Sequence, residues 1–108
     1  MRRPIVFSFD KKVKALDMIA KVGFSETTKT FSDILGYQAV PVRFALEELN
    51  KTHVLLEEGI LEKQNNMITF TYKRFSKQPF IVNSRYLQTL SPSMVTKISE
   101  AMQKLKKN

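Results

Sequence analysis

At 108 residues, 43% hydrophobic and 26% charged, the chain has the size and balance of one globular domain, too short for two separate hydrophobic cores. It has no cysteine, which excludes disulfides and thiolate metal sites and leaves the redox compartment undecided. No apolar run approaches the ~20 residues needed to span a bilayer, and a net charge of +8 with a pI near 9.9 favours polyanionic partners through steering and counterion release.

Arg2-Arg3 before Ile5-Val-Phe7 has the start of a secretory leader, but the apolar run breaks at Ser8 and Asp10. The chain therefore reads as cytoplasmic by default. Ile5, Phe7 and Phe9 alternate with other residues, as in a short strand or packed arm over residues 1–10. Asp10 can cap a helix over Lys11–Val22, with Val13, Leu16, Ile19 and Ala20 on one face and Gly23 as its stop. Ser25 to Thr30 reads as a polar connection. Thr30 and Asp33 resemble a capping box that opens a short helix ended by Gly36.

A third helix is predicted from Val40 or Pro41, because proline is tolerated in a first turn. Val42, Ala45, Leu46 and Leu49 give it one buried stripe, and Val40, Phe44, Glu47 and Lys51 fall on the opposite side. Leu49, His53 and Leu56 continue the stripe, which favours a lengthened helix through Asn50–Glu58 over a strand at His53–Leu56. Asn65-Asn66 tolerates positive φ and can close a two-residue hairpin over 59–72. That register places Leu61, Lys63, Ile68 and Phe70 on one face and Ile60, Glu62, Thr69 and Thr71 on the other. Lys73–Asn83 shows no clear period.

Ser91-Pro-Ser opens a last helix to about Lys106. Its Val95, Ile98, Met102 and Leu105 are spaced 3, 4, 3. Such a seam either dimerises the chain or packs on its own domain.

Two apolar-periodic segments meeting at Gly36, followed by the hairpin from Gly59 to Tyr72, resemble the winged helix-turn-helix superfamily over residues 11–73. The expected fold class is α+β, a winged helix-turn-helix with a C-terminal helix available for dimerisation. The resemblance implies that the start of the third helix faces the major groove. Tyr37, Gln38, Val40 and Arg43 would then contact bases and phosphates, with Arg43 reaching guanine or phosphate and Gln38 adenine. It also implies a wing tip, Lys63-Gln64-Asn65-Asn66, able to touch phosphate or the minor groove.

Charge adds a third set. No acidic residue lies between Lys63 and Ser99, whereas Lys73, Arg74, Lys77 and Arg85 all do, and Lys11, Lys12 and Lys14 add to them. Each set has an ordinary structural alternative: Arg43 can pair with Glu47 at i+4, and a polar hairpin tip is what a tight turn needs. Phe44 and Glu47 fit a groove-reading face poorly. The mixture of Phe70, Tyr72, Phe75, Phe80 and Tyr86 with Lys73, Arg74, Lys77 and Arg85 suits single-stranded nucleic acid, where bases stack on rings and phosphates meet cations.

Catalysis finds little support. His53 lies in a leucine-rich stretch, and Glu47, Glu48, Glu57 and Glu58 read as a solvated helix face beside Arg43 and Lys51. Gly23, Gly36 and Gly59 act as punctuation, not a phosphate-cradling loop. The reading is a non-enzymatic, dimeric duplex-DNA binder in transcription control or plasmid and phage replicon maintenance. It implies no cofactor, metal, membrane or small-molecule ligand. Single-strand or RNA binding, and a protein-interaction module, are the alternatives.

Overall fold

The computed structural model describes residues 5–74 and 78–107. The chain is α+β, with helices and a four-stranded antiparallel sheet. It divides into two compact units, residues 1–50 and 51–108.

The first unit is helical. Residues 5–8 carry no regular structure, and Phe7 is buried with its ring 5.7 Å from that of Phe31, edge to face. This segment is therefore an arm and not a strand. Helix α1 covers Phe9–Leu35, and its N-cap is Ser8, whose hydroxyl accepts from the Lys11 amide at 3.3 Å. Asp10, the expected cap, sits inside the first turn instead, where its charge suits the helix dipole.

Gly23 interrupts α1 with φ 86° and ψ 176°, a conformation essentially reserved for glycine. It kinks the helix where the sequence placed a stop. The first helical segment does end at Gly23, but a second begins at once: the expected polar connection Ser25–Thr30 is itself helical, so Thr30 opens nothing. Thr27 and Thr28 are buried because their hydroxyls donate to the carbonyls of Gly23 (2.7 Å) and Phe24 (2.6 Å), which satisfies both polar groups within the helix. Gly36 ends α1 in the left-handed region, its amide donating to Ser32 O at 2.9 Å.

Helix α2 spans Ala39–Thr52, with Pro41 in its first turn. Val42, Leu46 and Leu49 are buried as the stripe predicts, and Ala45 is half-buried. The helix is not lengthened to residue 58. It yields to strand β1, His53–Leu55, because these residues pair with β2 in the register His53↔Glu62, Val54↔Leu61 and Leu55↔Ile60.

The second unit is a meander, β1-β2-β3-β4, covered by a helix. β2 (Gly59–Gln64) and β3 (Met67–Tyr72) turn at Asn65-Asn66, with Asn65 at φ 56°. The register pairs Leu61 with Phe70 and Lys63 with Ile68, as expected. Gly59 is buried in β2, and a Cβ there would meet the Thr71 carbonyl oxygen. It permits a close approach of two strands and is more than punctuation.

β4 (Pro79–Ile81) continues the sheet beyond β3, and Asn83 caps a one-turn helix α3 (Ser84–Leu87) through the Tyr86 amide at 2.9 Å. Helix α4 covers Pro92–Lys107, with Ser91 Oγ accepting from Met94 N at 3.3 Å. Leu61, Phe70, Ile98, Ala101 and Leu105 form one buried cluster, joined by Met94 and Met102. The α4 stripe thus packs on the chain's own sheet, one of the two readings its spacing permits. Ile98 and Leu105 are fully enclosed there, and Val95 and Met102 are half-buried. Among the described residues no helix is long and apolar enough to cross a membrane.

Candidate nucleic-acid interface

In the first unit, Gly36, Tyr37 and Gln38 make a three-residue turn between α1 and α2. The Ser32 hydroxyl donates to the Tyr37 carbonyl and ties the turn to the last turn of α1. Because Val42, Leu46 and Leu49 face inward, the opposite side of α2 faces solvent. Tyr37 is 44% exposed, Val40 65% and Phe44 66%, and Gln38 is exposed beside them.

Arg43 is exposed yet not idle. Its guanidinium lies 5.1 Å from the centroid of Phe24, a cation–π distance, and its Nε is 3.9 Å from Glu47 Oε2. The ion pair is the i+4 alternative that the sequence offered. An exposed pair of this length contributes at most about 1 kcal/mol, so a phosphate or base can displace it. Val40, Arg43 and Phe44, with Ser25, Thr28, Lys29 and Ala39, line a shallow hollow of about 400 Å³. Ser25, Thr28 and Lys29 belong to the stretch read from sequence as a connection.

In the second unit, Gln64, Asn65 and Asn66 are exposed at the hairpin tip, and Lys63 is half-buried opposite Ile68. Arg74 and Arg85 are exposed and Lys73 is half-buried. Lys73 and Arg74 line a cleft of about 440 Å³ with Glu57, Glu58, Tyr72 and Met94. Lys77 and Phe75 lie outside the described residues. Lys11 and Lys12, on the first unit's α1, are half-buried and Lys14 is exposed. The charge is divided unequally. Residues 1–50 hold eight basic and six acidic residues, and 51–108 hold ten and four, so the second unit carries +6 of the net +8.

Three titratable groups in the second unit stand apart. Lys97 donates a hydrogen bond to Glu58, holding its carboxyl below the usual range, and Glu58 in turn raises Lys97. Lys97 is therefore engaged within the fold. Burial pushes the Tyr86 phenol upward, and its hydrogen bond to the Tyr72 hydroxyl at 3.2 Å adds to the shift.

Rings of this unit form a chain. Phe70 meets Tyr72 at 4.7 Å, Tyr72 meets Phe80 at 6.0 Å, and Phe80 stacks on Tyr86 at 5.6 Å. Phe80 remains 44% exposed and Ile81 55%, on a strand that the sequence reading missed. The apolar run Pro79-Phe-Ile-Val82 was the available signal.

His53 is buried, with Nδ1 2.8 Å from Thr52 Oγ1 and Nε2 3.4 Å from Glu62 Oε1, the packed residue expected of its surroundings. Among the described residues no group of three His, Cys, Asp or Glu side chains could hold a metal ion. Comparison with protein-family models, curated proteins and solved structures returns no match.

Proposed function

We propose that this chain is a nucleic-acid-binding protein of winged helix-turn-helix type, acting on duplex DNA in transcription control or replicon maintenance. The observation that carries the reading is the outward face of α2 directly after a three-residue turn, with Tyr37, Gln38, Val40, Arg43 and Phe44 presented together. A helix positioned this way can enter a major groove with its first turns leading. The second unit supports the reading by its +6 charge and its polar hairpin tip, Lys63–Asn66. Lys73, Arg74 and Arg85 are then phosphate contacts, which set affinity and its salt dependence without reading sequence. A dimer seam on α4 is no part of the proposal, since Ile98 and Leu105 are enclosed in the chain's own core.

Fluorescence anisotropy of labelled random duplex and random single strand, titrated at two salt concentrations, tests it. Tighter duplex binding is expected, weakened across all sequences by Arg74→Ala, whose salt slope falls by about one. Preference for single strand would refute the duplex reading. One observation favours that second reading: Phe80 keeps an exposed ring stacked on Tyr86, in the unit that carries +6 of the net charge. Phe80→Ala distinguishes the two, since it impairs single-strand binding alone.

A further inference from the structure

Val40 and Phe44 are the two most exposed large apolar side chains of α2, at 65% and 66%. They stand four residues apart, one turn and about 6 Å along the helix. Neither contributes to the buried stripe of Val42, Leu46 and Leu49. The hollow they line is also lined by Lys29, Arg43 and Ser25, and among the described residues no carboxylate lines it. Glu26 and Glu47, which pair with Lys29 at 3.6 Å and Arg43 at 3.9 Å, are outside that lining. The hollow thus joins an exposed apolar pair to two cations, each held in an exposed ion pair with a carboxylate outside the lining. A bare phosphate backbone leaves the apolar pair unmatched, whereas a duplex offers phosphates that can displace these weak, exposed ion pairs together with apolar groups on its base edges.

We infer that Val40 and Phe44 read thymine 5-methyl groups, so that the duplex bound by this chain carries thymines at the α2 contact. The inference rests on the duplex-binding reading above. Thymine is the base whose major-groove edge ends in a methyl group, and small apolar or aromatic side chains are its natural contacts. Lys29 and Arg43 then meet the phosphates that flank the methyl groups. Base steps of about 3.4 Å allow two side chains about 6 Å apart to meet methyls on neighbouring or next-neighbouring steps. Burying one methyl corresponds to roughly a four-fold gain in affinity, and two to about fifteen-fold.

The test begins with enrichment of bound sequences from a random duplex library by the full chain. The enriched duplex is then resynthesised with uracil in place of thymine, which removes the methyl and keeps every hydrogen-bonding group. The expected result is thymine enrichment and a loss of about four-fold per contacted methyl on uracil replacement. Phe44→Gln, at an exposed position, should fold normally and bind thymine and uracil duplexes more nearly alike. Duplex binding with no thymine–uracil difference overturns the inference and leaves the duplex reading intact. No duplex binding at low salt overturns that reading itself. If Phe44→Gln instead leaves duplex affinity unchanged and abolishes self-association in sedimentation, the patch faces protein and the inference fails.

Discussion

Substituting Gly59 with alanine should damage this protein more than its single added methyl suggests. An ideal Cβ at Gly59 falls 2.1 Å from the Thr71 carbonyl oxygen, and 2.9 Å from both the Thr71 carbonyl carbon and Phe70 Cζ. Relief requires a displacement of about 1 Å, and neither neighbour gives way easily. Thr71 lies in β3, paired on both sides, and the Phe70 ring is completely enclosed. Overpacking of this kind costs about 1–3 kcal/mol, and a clash with backbone belongs at the upper end. At roughly 4–8 °C per kcal/mol for a chain near this size, the melting temperature should fall by about 12 °C or more. Far-UV circular dichroism during heating, and urea titration with m compared between proteins, measure it. A Gly59→Ala protein within about 0.5 kcal/mol of the parent would refute the close approach of β2 and β3.

Gly36→Ala should cost only about 1–2 kcal/mol, because its left-handed φ of 73° is strained for alanine while the space beyond is open. Gly23→Ala, equally unobstructed but at φ 86° and ψ 176°, should lower the urea midpoint further than Gly36→Ala does. Ser8→Ala should destabilise by about 0.5–2 kcal/mol and exceed Asp10→Ala in the same denaturation assay, since Ser8 is the residue that caps α1. For Glu58, the folded carboxyl ionises below its ordinary 4.5, so its contribution is in place above pH 4.5 and is lost as pH falls through the lower folded value. Glu58→Gln should therefore show a shallower loss of stability on acidification below pH 4.5, measured by unfolding at a series of pH values.

What could be read from residues alone divides along physical lines. The α2 stripe, the Asn65-Asn66 turn and the Ser91-Pro92 helix start are local signals, each complete within a few residues, and all three are present. Ser25–Thr30 misled because polarity stands for solvent in a sequence. Thr27 and Thr28 bury their hydroxyls by donating back along the helix, which composition cannot express. His53-Val-Leu55 continues a helical period and also suits a strand, and only pairing with residues 60–62 decides between them. β4 is three residues long and exists by virtue of its partner Thr69–Thr71. The α4 seam has the same spacing whether the facing surface is a second helix or a sheet. Of the candidate site, Val40 and Phe44 were placed outward by periodicity alone. The contribution of Ser25 and Lys29 to the same hollow required the helix that the sequence hid.

Pro79 gives the sheet a boundary. Val82 donates to Ile68 O, so even-numbered residues of this segment bond to β3, while 79 and 81 direct their backbone groups away from it. At position 79 that outward direction carries no N–H donor. A strand arriving from another molecule finds an incomplete ladder only three residues long, next to the exposed side chains of Phe80 and Ile81 that would otherwise invite it. A proline at the rim lets the chain display apolar surface without templating its own aggregation.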